Sequence, residues 1–133
     1  MGVDYGKARI GLARCDETRL VVTPLVTLHS KGKSAAALAG ELAKYAAETA
    51  SVGLVFGWPD EDDARTEGVR NDITKLVHIL RTSFSVLCAC APEGFSSRDA
   101  LDLLHQAKKK RKASRALDPY AAAVILQRYI DGG

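Results

Sequence analysis

Three carboxylates in this 133-residue chain stand where a regular element is expected to end or begin, and these could do chemistry together. Asp4 closes the opening apolar run Met1-Gly2-Val3 and is followed by Tyr5-Gly6. Glu93 comes just beyond the apolar stretch 84–91, and Asp118 precedes Pro119 at the head of a helical pattern. In an open α/β sheet, sites form outside the carboxyl ends of parallel strands. If the strands leading to Asp4 and Glu93 are parallel neighbours, both acids reach one rim, and a helix starting there adds Asp118. Three converging acids without basic partners repel one another and raise each other's pKa values. A divalent cation removes that conflict, and Mg2+ or Mn2+ prefers oxygen ligands. Two such ions, roughly 3.5–4 Å apart, activate a water and stabilise the leaving oxygen of a phosphodiester. Each acid also has a plain structural reading. Asp4 can cap the turn at Gly6, Glu93 can be an exposed loop acid, and Asp118 can cap the helix that Pro119 opens.

The positive charges point the same way. Lys and Arg number 19 against 16 Asp and Glu, a formal net charge of +3. Six of the bases, Lys108, Lys109, Lys110, Arg111, Lys112 and Arg115, form one block with no acid among them, and outside it acids outnumber bases. An acidic body with a basic patch favours an anionic partner at the patch. Because the block immediately precedes Asp118, phosphate-backbone contact is the favoured reading over a solvated loop. Arg9, next to the Asp4 turn, either contacts phosphate or pairs with a nearby acid, and Trp58 either stacks on a base or is partly buried. His29, His78 and His105 have no metal-ligand spacing. The three cysteines, Cys15, Cys88 and Cys90, form no zinc pattern and read as buried, reduced thiols, which point to the cytoplasm. No apolar run is long enough to span a membrane, and the N-terminus lacks the charge and apolar pattern of a secretory signal.

The elements that must position these residues follow from periodicity. Apolar runs at 1–3, 10–13 and 20–28 read as a three-stranded meander, with Pro24 favouring an edge. Leu38, Leu42 and Tyr45 recur at helical spacing after a plausible N-cap, Ser34. The stretch 52–57 reads as a buried strand. Val69, Ile73, Leu76, Val77 and Leu80 fall on one helical face, and 84–91 reads as another buried strand. Ser96 and Asp99 resemble a capping box opening a helix that carries Leu101 and Leu104. Asp118-Pro119 opens the last helix, which presents Ala122, Ile125, Leu126 and Tyr129 inward and stops at Gly132-Gly133. The predicted order is β-β-β-α-β-α-β-α-α, an α/β layered structure with a mixed sheet. The length fits a single domain over residues 1–133.

These residues also carry a resemblance. Asp4-Tyr5-Gly6-Lys7-Ala8-Arg9-Ile10-Gly11-Leu12-Ala13 matches the DxGxxRxGxA signature of the YqgF/RuvX family. That family of Holliday junction resolvase-like proteins lies within the ribonuclease H-like superfamily. The match continues through Thr23-Pro24-Leu25, Val55-Phe56-Gly57-Trp58-Pro59 and the segment 92–100, and closes with Asp118-Pro119-Tyr120-Ala121-Ala122 and Ile125-Leu126-Gln127. It therefore spans essentially the whole chain in order.

The resemblance implies a ribonuclease H-like α/β fold, a five-stranded mixed sheet flanked by helices on both faces. It further implies a nuclease with Asp4, Glu93 and Asp118 as Mg2+- or Mn2+-binding acids. The partner it implies is nucleic acid, either branched DNA or the precursor of small-subunit ribosomal RNA. A homodimer would suit a symmetrical junction.

The chain departs from the family in three places. The family's Asp-Glu-Arg is Pro92-Glu93-Gly94 here, the loop after the GxP motif carries Asp60-Glu61-Asp62-Asp63, and only three residues precede Asp4. The lost charges around Glu93 keep a second expectation open, a nucleic-acid-binding module of the same fold that no longer cuts. A third class shares the DxG turn, the actin-like and sugar kinases, but those need two such domains around a cleft.

Overall fold

The structure, a computed structural model, describes residues 1–18, 21–59, 64–92 and 117–132, the side chains of residues 65, 117 and 118 excepted. Strands β1 (Gly2–Tyr5), β2 (Arg9–Cys15) and β3 (Val22–His29) form the expected antiparallel meander. Strand β4 (Gly53–Trp58) pairs parallel with the other side of β1, and β5 (Leu87–Pro92) pairs parallel with β4. The five-stranded order is β3-β2-β1-β4-β5. β1, β4 and β5 thus all end at one rim, as the placement of the acids requires. Pro24 lies on β3, an edge strand of the described sheet, as the sequence predicts.

Helices α1 (Ala35–Glu48) and α2 (Ala64–Ser83) cover one face. Val3, Ile10, Leu12, Leu54 and Phe56 from the strands meet Leu38, Leu42, Ile73, Leu76 and Leu80 there, all buried. Full burial of each such side chain contributes about 1.5–3 kcal/mol before entropy is charged. Ser34 caps α1 as expected, its hydroxyl accepting the Ala37 N–H at 3.1 Å. Helix α3 (Leu117–Ile130) covers the other face, where Ala122, Ala123, Ile125 and Leu126 pack on Ala13, Val55 and Ala91. Among the described residues no helix is long and apolar enough to cross a membrane.

Four local expectations are corrected. Residues 84–86 are not strand: α2 runs to Ser83, and the Phe84 and Val86 N–H groups both donate to the Leu80 carbonyl. β5 is also not a buried strand, since Leu87 is 71% exposed and Cys90 is exposed. A continuous apolar run does not separate a central strand from one at the end of the described sheet. The thiols are not buried either, Cys15 and Cys88 being half-buried and Cys90 exposed. Finally, α3 begins at Leu117, so Asp118 lies inside the first helical turn rather than before it. Pro119 is tolerated there because first-turn N–H groups have no partner within the helix. The expected helix after Ser96 lies outside the described residues.

Candidate active site

Side chains alternate across a strand. Val3 enters the α1–α2 core, so Gly2 and Asp4 face α3. Gly2 is where the helix touches the sheet. A Cβ there would stand 2.5 Å from the Ala122 carbonyl oxygen and 2.8 Å from the Leu126 Cβ. The C-terminal end of α3 lies at the start of β1, where Leu126, Tyr129 and Ile130 line a cavity together with Met1. The helix therefore runs antiparallel to β1, and its first turn, with the backbone of Asp118, points toward the end of the strand that carries Asp4. Asp118 precedes Ala122 by four residues, about one turn.

Asp4 is half-buried and pairs with Gly11 of β2. On the other side the register Gly2↔Val55, Val3↔Phe56 continues Asp4 onto Gly57. The carboxylate is thus flanked across the sheet by two residues without side chains. Arg9, half-buried, is two residues from Gly11 on the same face. Asp4 and Arg9 are thereby brought to one side of one rim, with the backbone of Asp118 directed toward it. Glu93 follows Pro92, the last residue of β5, and lies outside the described residues. So do Lys108, Lys109, Lys110, Arg111, Lys112 and Arg115, and the acidic loop 60–63. Among the described residues no three His, Cys, Asp or Glu side chains form a metal-binding cluster. His29 and His78 are exposed, and Trp58 is half-buried against the α1–α2 core.

The opposite face of the same strand end holds residues that the sequence does not single out. The Tyr5 hydroxyl donates to Asp72 Oδ2 at 2.8 Å, joining β1 to α2. Burial, and then the hydrogen bond and charge of Asp72, push the Tyr5 pKa well above its ordinary value. Lys7, Lys33 and Lys75 line a cavity beside this pair. The linear signal for it is slight: Asp72 and Lys75 stand at i, i+3 on α2, a spacing that puts them side by side. Arg70 fixes the end of β4, its Nε and Nη2 donating to the Pro59 carbonyl at 2.9 and 2.7 Å.

The chain as a whole resembles known proteins in sequence and fold. A family model described as RuvX, Holliday junction resolvase, matches residues 1–132. A protein of Chlorobaculum tepidum described as a "Putative pre-16S rRNA nuclease" is 33% identical over 135 residues, covering 98% of this chain and 92% of the relative. A protein of Methylobacillus flagellatus with the same description is 33% identical, covering 99% of this chain and 90% of the relative. Among solved structures, T. thermophilus RuvC in complex with Holliday junction substrate superposes with a TM-score of 0.64 at 11% identity, covering 98% of this chain and 92% of that one. Fowlpox virus resolvase with its substrate Holliday junction DNA gives 0.59 at 10% identity, covering 98% and 95%. At such identities the likeness is one of fold, and the fold is ribonuclease H-like. With the family model matched over nearly its full length, this chain belongs to the RuvX family.

Proposed function

We propose that this protein is a divalent-metal-dependent nuclease that hydrolyses phosphodiester bonds in structured nucleic acid. The observation that carries the reading is the position of Asp4. It stands at the carboxyl end of a central parallel strand, between two glycines, on the face that also holds Arg9 and receives the first turn of α3. Asp4, Glu93 and Asp118 supply an all-oxygen donor set, which suits a hard divalent cation such as Mg2+ or Mn2+. When bound, such a cation lowers the pKa of a water and offsets charge on the leaving oxygen. The chain's own residues hold that site and the substrate. Asp4 is the central ligand, Glu93 and Asp118 complete it, and Arg9 meets a phosphate on the same face. The block Lys108–Arg115 holds the backbone leading into the site. A reaction by this route leaves a 5′-phosphate and a 3′-hydroxyl.

Pre-16S ribosomal RNA is the first substrate to test, because the curated relatives carry that name over almost the whole chain. Four-way DNA junctions are the second, and a homodimer in the cytoplasm is the form we assign. One panel tests the reading: ribosomal RNA precursor ends and four-way junctions, with Mg2+ or Mn2+, wild type beside Asp4→Asn. Loss of a metal-supplied stabilisation of several kcal/mol predicts at least about a thousandfold slower cleavage by Asp4→Asn, with fold and binding retained. Chelation of the metal is expected to abolish wild-type cleavage. Undiminished cleavage by Asp4→Asn ends the proposal. The changes to Pro92 and Gly94 favour a second reading, binding without cutting. Calorimetry separates the two, since a module that only binds shows no Asp4-dependent uptake of Mn2+.

A further inference from the structure

A cavity of about 310 Å³ opens on the face of β1 opposite Asp4, between the β1–β2 turn, the β3–α1 turn and α2. Three lysines from three separate segments line it: Lys7, Lys33 and Lys75. The hydrogen-bonded pair Tyr5–Asp72 and the buried Ser30 complete the polar lining. The two turns are clamped together. Ser30 Oγ donates to the Gly6 carbonyl at 2.7 Å, and the Ser30 N–H donates to the Ala8 carbonyl at 2.9 Å, so Lys7 is carried on a fixed backbone. Its ammonium lies over α2 at Gly68, where a Cβ would stand 2.9 Å from Lys7 Nζ. Glycine weakens a helix relative to alanine, yet here its absent side chain makes the room this ammonium occupies.

The charge balance of the lining is positive. Lys33 is compensated by Glu41 at 3.0 Å. Among the described residues neither Lys7 nor Lys75 has an ion pair. One carboxylate, Asp72, faces them, and one of its oxygens already accepts the Tyr5 hydroxyl. Two ammoniums that have no ion pair among the described residues, against the one carboxylate of Asp72, leave the polar lining net positive and suit a compact, multiply accepting anion, and phosphate is such a group. Ala35, the first residue of α1, also lines the cavity, and the first turn of that helix carries no acid, so the helix dipole adds to the same field.

We propose that this cavity is a second phosphate subsite, binding a phosphodiester that flanks the one held at Asp4 on the same strand. The proposal rests on the nuclease reading for its substrate. Asp4 and Tyr5 are consecutive, so a strand lying over Asp4 crosses the tip of β1 and brings a neighbouring phosphate within reach of Lys7 and Lys75. The subsite would grip backbone without reading bases.

The test is binding of a fluorescein-labelled four-way DNA junction by the full chain in chelator, followed by anisotropy over a series of salt concentrations. The double variant Lys7→Ala/Lys75→Ala is compared with wild type, with the exposed Lys44→Ala as control. Releasing one phosphate from the protein predicts about a tenfold weaker Kd in the double variant and a log–log salt slope shallower by about 1, with Lys44→Ala unchanged. Thermal melts of each variant establish that the fold is intact, and Lys7→Arg is expected to retain both affinity and slope. An unchanged Kd and slope in a folded double variant overturns the subsite. Since no metal is present, the outcome is independent of cleavage. A slope change without any nuclease activity upholds the subsite and sinks the nuclease reading. Cleavage by wild type with an unaltered slope in the double variant does the reverse.

Discussion

Asp4 and Tyr5 divide two tasks between the faces of one strand, and the hydroxyl of Tyr5 gives that division a measurable signature. Its bond to Asp72 at 2.8 Å anchors the tip of β1 to α2 directly behind Asp4. A hydrogen bond to a charged acceptor at a partly buried position is worth about 1–2 kcal/mol, so Tyr5→Phe should lower stability by that amount at neutral pH. The pH dependence has a definite sign. The folded-state pKa is raised above the ordinary 10.0, chiefly by burial. The unfolded chain therefore releases this proton near pH 10 while the native chain keeps it, and stability falls as pH rises beyond that point. Cys88 and Cys90, whose pKa values burial also raises from 9.0, act in the same direction somewhat earlier, but they are common to both proteins. Urea unfolding between pH 9 and 11 should thus show the wild-type advantage over Tyr5→Phe shrinking above pH 10. Parallel curves would remove Tyr5 from the account. Nothing in the linear sequence marks this pair, because a tyrosine beside an acidic turn and an aspartate on a helix meet only when β1 and α2 pack.

At the level of elements, the site depends on how closely α3 approaches β1. Gly2 allows that approach, and the clash awaiting a Cβ involves the backbone oxygen of Ala122, which no rotamer change relieves. Gly2→Ala should therefore cost about 1–3 kcal/mol or more by overpacking, seen as a lower Tm. It should also displace the first turn of α3 relative to Asp4, weakening Mn2+ uptake in calorimetry by more than the lower stability explains. Retained stability and retained uptake would show that the close approach is dispensable. The succession of strands and helices is legible in the sequence, because period-2 and period-3.6 patterns report which faces are buried, whereas the five-stranded mixed sheet with helices on both faces is what the family resemblance implies. The errors fall where that logic has no purchase. At 84–86 an apolar triplet serves a helix end, and in β5 an apolar run sits at the end of the described sheet, where Leu87 is exposed. The neighbouring Pro119 makes Asp118 resemble a cap, but the helix starts at Leu117, a difference of the size that helix ends commonly show.

For the whole molecule, the formal charge of +3 conceals two separated basic features on an otherwise acidic chain. The block Lys108–Arg115 is legible because its charges are contiguous. The cavity lysines Lys7, Lys33 and Lys75 are not, because they come from two turns and a helix that converge only in the fold. Asp4 is singled out in the sequence by its motif, whereas Gly11 and Gly57 come to flank it only through strand register. If the two basic features grip different phosphates of one backbone, they act through counterion release and their effects on the salt slope add. Neutralising Lys109, Lys110 and Arg111 to alanine should flatten the log–log salt slope of junction binding by about 0.9 for each phosphate no longer neutralised. Combining that triple variant with Lys7→Ala/Lys75→Ala should flatten it by the sum of the two changes, while sequence preference stays the same. The measurement is again anisotropy in chelator, so the acids proposed to hold the metal contribute the same repulsion to every variant. A triple variant with the wild-type slope would take the block off the binding surface. A combined change smaller than the sum would mean that the two features compete for the same phosphates, and that the strand does not run from one face of β1 to the other.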